Sequence, residues 1–191
     1  NIAKSIAQES GYGDSLCGVS LNRYCGSGLE AVNQAAAYVK SGFRQLMIAG
    51  GVESMSRVKM GSDGGGMWMD PFLAMNGNIV PQGISADLIA TKYGYTRDVL
   101  DQFAYTSQMR AVAAEKDNRF KSRVAIKDIN GLNILDKDEN VRASTTVEGL
   151  SGLPLAFAAM GEMAGFDQVA LDKYPEVGEM THVHHPGNSS A

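Results

Sequence analysis

Apolar positions along this chain alternate between two spacings, and the alternation predicts an ordered set of elements. Residues 2–9 carry a helical pattern closed by the turn Gly11-Tyr12-Gly13-Asp14. A short apolar run over residues 16–21 reads as a buried strand. Helical spacing then returns at Leu29, Val32, Ala36 and Val39 and stops at Ser41-Gly42. Residues 45–49 form a second buried strand that ends at Gly50-Gly51. Strand, helix and strand within about thirty residues is the size of one right-handed βαβ unit. Near-continuous apolar strands belong to parallel sheets covered on both faces, so the expected class is α/β.

Periodicity fails from residue 54 to residue 80, a stretch rich in Gly and Met. Two readings stand for it: a long surface loop anchored by a few methionines, or flexible thioether side chains lining an adaptable apolar pocket. Helical patterns resume over residues 84–93 and 96–120. In the second, Thr96 can cap, Asp98 and Asp101 suit the first turns, and Leu100, Phe103, Ser107, Ala111 and Ala114 make the expected inward face. Asn130-Gly131 between two extended runs, 124–129 and 132–135, signals a hairpin. Thr145-Thr146-Val147-Glu148 matches a capping box that opens a short helix to Leu153. The first element has no visible lead-in, the last stretch is turn-like, and the strands are too few for a covered parallel sheet. An interior piece of a longer polypeptide is therefore expected.

Composition narrows the possibilities. With 44% hydrophobic and 20% charged residues the balance is that of an ordinary globular domain. The net charge of -4 offers no basic surface for nucleic acid. No run approaches membrane-spanning length and no targeting segment is visible, which gives a cytoplasmic expectation. The triple glycine 64–66 lacks the Lys-Ser/Thr of a phosphate-binding loop, which excludes a nucleoside triphosphatase of that kind. His182, His184 and His185 cluster near the end, but no third ligand accompanies the pair that would share a strand face. They read as polar strand residues near a site mouth, and no metal is expected.

The two cysteines differ in context. Cys17 lies in the first apolar run and reads as a small buried hydrophobe, with no disulfide expected. Cys25 falls where that run turns into a helix, and the unpartnered N–H groups and dipole of a helix start favour its thiolate. Gly26 and Gly28 cost helix propensity but remove Cβ atoms beside the sulfur, so that a bulky acyl group can approach the backbone. Ligands in such sheets bind beyond the carboxyl ends of the strands, where both Cys25 and Glu53 would emerge. Faster alkylation of Cys25 than of Cys17 is the expected signature.

Two motifs carry a resemblance. Asn22-Arg23-Tyr24-Cys25-Gly26-Ser27-Gly28-Leu29-Glu30-Ala31 resembles the nucleophile motif of the thiolases, and Ala49-Gly50-Gly51-Val52-Glu53-Ser54-Met55-Ser56 resembles their next signature, in the family's order and at a matching distance. The likeness runs through the whole chain but covers about the middle half of a thiolase. It implies the thiolase fold, two similar βαβαβαββ halves in five layers, with this chain carrying most of the first half and an inserted loop domain. The implied division is 1–78 for part of the N-terminal core, 79–157 for the loop domain that covers coenzyme A, and 158–191 for the return to the core.

The resemblance also implies roles. Cys25 matches the acyl-accepting nucleophile, Arg142 the loop-domain arginine near the coenzyme A phosphates, Ser144 a neighbour of it, and Ser190 the serine contacting the pantetheine arm. The implied reaction cleaves a 3-ketoacyl-CoA with coenzyme A, with acyl-CoA and coenzyme A as substrates and no tightly bound cofactor. The stretches 60–65 and 80–82 look closer to thiolases acting on steroid side chains than to short-chain enzymes. A homodimer or homotetramer is expected from the family. The Asn-Glu-Ala-Phe, Gly-His-Pro and Cys-x-Gly motifs of the later half do not occur here. The rival readings are a non-catalytic thiolase-like chain that binds acyl-CoA or assembles with a partner, and the related ketoacyl-synthase branch. That branch usually surrounds its cysteine with small and hydroxyl residues in place of Cys-Gly-Ser-Gly.

Overall fold

The computed structural model describes residues 1–62 and 64–189, and its contacts divide the chain into two units, 1–63 and 64–191. The first unit is built on two helices. Helix α1, Ile2–Glu9, is capped by Asn1, whose side-chain oxygen accepts from the Lys4 N–H at 3.3 Å. The following segment is tied back to α1 by polar bonds: Asn1 Nδ2 donates to the Gly18 carbonyl at 2.6 Å, and Lys4 Nζ donates to the carbonyls of Asp14 and Leu16. Gly18 permits this approach, since a Cβ there would stand 2.2 Å from the Lys4 nitrogen. Helix α2, Ser27–Lys40, carries Glu30 in its first turn and Lys40 in its last, both favourable to the helix dipole.

The two strands expected at 16–21 and 45–49 form no ladder among the described residues. Leu46 is 81% exposed and Val19 78%, so the apolar pattern is there but its burial is not. A strand is held by hydrogen bonds to neighbours on its edges, and a parallel neighbour reaches it only through a long crossover. Here the described residues supply no neighbour. Cys17, expected to be buried, is exposed for the same reason.

The second unit holds the larger core. Where the sequence pattern fails, two short helices form: α3, Gly66–Met69, and α4, Pro71–Asn76, the latter capped by Asp70 Oδ1, which accepts from Phe72 and Leu73. Helix α5, Gln82–Tyr93, ends at Gly94 in the left-handed region, φ +71°. Helix α6, Arg97–Lys116, starts at Thr96, whose hydroxyl oxygen accepts from Val99. A two-stranded antiparallel hairpin follows, β1 Ile126–Lys127 and β2 Asn133–Leu135. Its turn is wider than the Asn-Gly pair alone, because Asp128 Oδ1 accepts from the N–H groups of both Asn130 and Leu132.

Helix α7, Val147–Ser151, is capped by Thr146 and not by Thr145 as a capping box would require: the Thr146 hydroxyl accepts from Gly149 at 3.0 Å. Helices α8, Ala158–Met163, and α9, Phe166–Lys173, and a 3-10 turn, Pro175–Val177, complete the unit. Ile84, Leu88 and Ala170 form the buried centre, with Val80, Phe157, Phe166, Val177 and Met180 packed around it. Gly83 lies so close under the Phe157 ring that a Cβ there would meet it at 2.2 Å.

The inward face of α6 also differs from expectation. Phe103 is 66% exposed, and the fully buried positions are Asp101 and Ala104. The helix turns its acidic residue inward because Asp101 has buried partners: Oδ1 accepts from His185 Nε2 at 2.7 Å and from Asn188 Nδ2 at 2.9 Å.

Candidate functional site around Cys25

Cys25 sits in a tight turn at the mouth of α2, immediately before the N-cap residue Gly26. The turn is fastened at several points. Gly26 N–H donates to the Arg23 carbonyl at 3.0 Å, Ser27 N–H to the Tyr24 carbonyl at 3.0 Å, and the Ser27 hydroxyl both accepts from Arg23 N–H and donates to the Tyr24 carbonyl, each at 2.7 Å. Asn22 Oδ1 accepts from Tyr24 N–H at 2.8 Å. Tyr24 adopts φ +50°, a conformation that side-chain-bearing residues rarely take and that persists where surrounding bonds hold it. The result is a sharp elbow that carries the exposed Cys25 thiol at the start of the helix.

No side chain caps this end of α2. The Ser27 N–H is taken by the Tyr24 carbonyl, which leaves the next N–H groups of the first turn, those of Gly28 and Leu29, without a backbone partner among the described residues, and the positive end of the helix dipole lies at this turn. The glycines keep the approach open: a Cβ at Gly28 would meet nothing within 4 Å. The second motif comes to the same place, since a Cβ on Gly51 would lie 3.7 Å from the Gly28 Cα. One face of the elbow is braced by charge. Arg23 Nη1 meets Glu30 Oε2 at 2.5 Å, Gln34 Nε2 donates to Glu30 Oε1 at 3.0 Å, and these two hydrogen bonds hold the Glu30 carboxyl below its usual value.

Arg142 and Ser144 lie together in the second unit, exposed in the turn just before α7. Gln108 of α6 steadies this turn from below: its Oε1 accepts from Arg142 N–H at 2.8 Å and its Nε2 donates to the Asn140 carbonyl at 3.4 Å. Nothing in the local sequence marks Gln108 for this role, since a glutamine in mid-helix usually faces water. Ser190 lies outside the described residues.

The three histidines behave unlike strand residues. They are drawn onto carboxylates, His182 and His184 onto Asp87 of α5 and His185 onto Asp101 of α6. The acidic partners are the signal that was missed. Each sits inside a helical pattern, and nothing in the local spacing marks it for burial. Among the described residues no group of His, Cys, Asp and Glu is arranged to hold a metal ion. No described helix is long and apolar enough to cross a membrane.

Comparison with known proteins defines the class. Residues 1–168 match the family model of the thiolase N-terminal domain. Among curated relatives, the beta-ketoadipyl-CoA thiolase of Acinetobacter baylyi is 37% identical over 175 residues, 80% of this chain and 43% of that protein. The 3-ketoacyl-CoA thiolase of Pseudoalteromonas translucida is 34% identical over 90% of this chain and 45% of its own length. The acetyl-CoA acetyltransferase of Pseudomonas aeruginosa is 32% identical, again over 90% of this chain and 48% of its own. The chain belongs to the thiolase family, and with that membership comes the α/β fold of the thiolase N-terminal domain. It spans just under half the length of the curated relatives it matches.

Proposed function

We propose that the protein acts as a thiolase-type acyltransferase, passing an acyl group from a 3-ketoacyl-CoA to coenzyme A through a thioester on Cys25. The observation that carries this reading is the elbow: a left-handed Tyr24, an exposed thiol, an uncapped helix end and two glycines lie within five residues. Cys25 as thiolate attacks the 3-keto carbon, and the oxyanion that forms is favoured near unpaired N–H donors. Collapse of the adduct breaks the bond between carbons 2 and 3, leaving the acyl group on Cys25 and an acetyl-CoA enolate that takes up one proton. Coenzyme A then gives up its thiol proton and attacks the thioester, and Cys25 leaves as thiolate, so that the proton released here balances the one taken up by the enolate. In the family resemblance, the acid that protonates the enolate is a second cysteine of the later motifs.

In this reading the segment 79–157 is the domain over coenzyme A. Arg142 offers its planar, permanently charged guanidinium to the phosphates, and Ser144 and Ser190 supply hydroxyls to the bound coenzyme. The stretches 60–65 and 80–82 favour a bulky acyl group of the steroid side-chain kind. A cytoplasmic homodimer or homotetramer completes the reading, by analogy with the family.

The test is acylation. After incubation with acetyl-CoA, intact mass and peptide mapping should find one acetyl group on the peptide that carries Cys25, lost in Cys25→Ser. Coenzyme A binding with no acyl group on that peptide would support the non-catalytic alternative and refute the assignment of Cys25.

A further inference from the structure

His182 stands between two acidic side chains from different helices. Its Nδ1 lies 2.7 Å from Asp87 Oδ2 on α5, and its Nε2 lies 2.9 Å from Asp167 Oδ2 on α9. Asp87 acts throughout as an acceptor: its Oδ1 also takes the backbone N–H groups of Val183 at 3.0 Å and His184 at 3.1 Å, and His184 Nδ1 at 2.7 Å. The His182 Nδ1 proton is thus committed to Asp87. A neutral imidazole carries only one N–H, so its Nε2 would then turn a lone pair toward a carboxylate oxygen. Both contacts are attractive together only when the bridge holds one more proton.

The surroundings give that proton a restricted place. The His182 side chain is 8% exposed and that of Asp167 17%. The other oxygen of Asp167, Oδ1, is buried without a hydrogen-bond partner. It rests against the α8 backbone at Gly161, where a Cβ would come within 2.2 Å of it. The charged groups facing the ring are Asp87 from α5 and Asp167 from α9. His184, from its own segment, shares the Asp87 carboxylate, and α8 faces the cluster with an uncharged glycine.

We propose that His182 is a proton-operated clasp: with both ring nitrogens protonated it ties the segment 181–189 to α5 and α9 together, and on losing one proton it keeps α5 and releases α9. The direction of its titration agrees. Burial works against the charged ring, but the hydrogen bonds to Asp87 and to Asp167 outweigh it and raise the pKa above the usual 6.5. A group whose folded pKa is raised contributes its full stabilisation below the unfolded value and loses it as pH rises through the folded value. The clasp is therefore closed in mildly acidic solution and opens on the alkaline side.

The experiment is a titration of the histidine ring C–H signals by NMR, with His182 assigned as the signal missing in His182→Gln, together with thermal midpoints across the same pH range. The wild-type signal should titrate above about 6.5. In Asp167→Asn, whose amide can donate to a neutral Nε2, the midpoint should fall by about one unit or more, and the thermal midpoint should lose part of its alkaline decline. A His182 signal that titrates at or below the free-histidine value in the wild-type protein overturns the clasp, whatever the variants do. So does an Asp167→Asn protein in which the His182 midpoint has not moved.

Discussion

Removing the Asp101 carboxylate should be among the most damaging single changes in the second unit. Asp101 is fully buried on α6 and meets three side chains: His185 Nε2 donates to Oδ1 at 2.7 Å, Asn188 Nδ2 donates to the same oxygen at 2.9 Å, and Arg97 Nε, one turn earlier on α6, stands 3.6 Å from Oδ2. His185 cannot turn to another partner, because its Nδ1 already accepts from Gly187 N–H at 3.1 Å. Arg97 is committed too, donating from Nη2 to the carbonyls of Leu150 and Leu153 at 3.0 and 2.5 Å. Asp101→Ala leaves the buried His185 Nε2–H unpaired, takes from Asn188 Nδ2 one of its two acceptors while the Val183 carbonyl at 3.2 Å remains, and leaves a half-buried guanidinium without its counter-charge. Each orphaned donor costs about 1–3 kcal/mol, and breaking a buried ion pair from one side costs about 3–5 kcal/mol. These overlap, so a loss of about 3–5 kcal/mol is expected, a large share of a typical domain's 5–15 kcal/mol or so. Urea unfolding followed by circular dichroism should show the midpoint falling by about 2 M for a slope of about 2 kcal/mol/M. Asp98→Ala, one turn earlier and exposed, removes only a favourable dipole contact and should cost about 0.3–1 kcal/mol. Equal losses for the two variants would refute the view that the Asp101 cluster holds α6 to the segment 183–188.

Three further outcomes follow from the geometry. Iodoacetamide should alkylate Cys25 faster than Cys17 when each is followed by peptide mass mapping; because both thiols are exposed, equal rates could not be blamed on access and would count against an activated nucleophile. Gly83→Ala should destabilise by about 1–3 kcal/mol in thermal or urea unfolding, since the new methyl must displace the Phe157 ring, and the penalty should shrink in a Phe157→Leu background. Arg142→Gln should weaken coenzyme A binding in calorimetry by about tenfold or more, and Gln108→Ala should produce part of that loss without touching the ligand, because it frees the turn that carries Arg142.

Local order was legible from the residues alone. Helices α1, α2, α5 and α6 fall within a few residues of their patterned segments, and Thr96 caps α6 as its type and place suggest. These are short-range matters of spacing, cap chemistry and turn residues. The approach of the Cys25 and Gly51 motifs was expected from a strand–helix–strand unit, although the strands themselves pair with nothing among the described residues.

What the tertiary structure decided lies where residues distant in sequence meet. Asp101 reads from the sequence as a residue suited to the first turns of its helix, Asp87 carries no local signal at all, and His182, His184 and His185 read as polar strand positions. Only when α5 and α6 meet the segment 182–188, more than eighty residues later, does each acid find donors enough to be buried. A charge goes inside a protein only with partners, and partners that far along the chain leave no local pattern. The apolar runs 16–21 and 45–49 show the converse. Their sequence encodes a buried face, but burial depends on neighbouring strands, which no pattern within the run can supply.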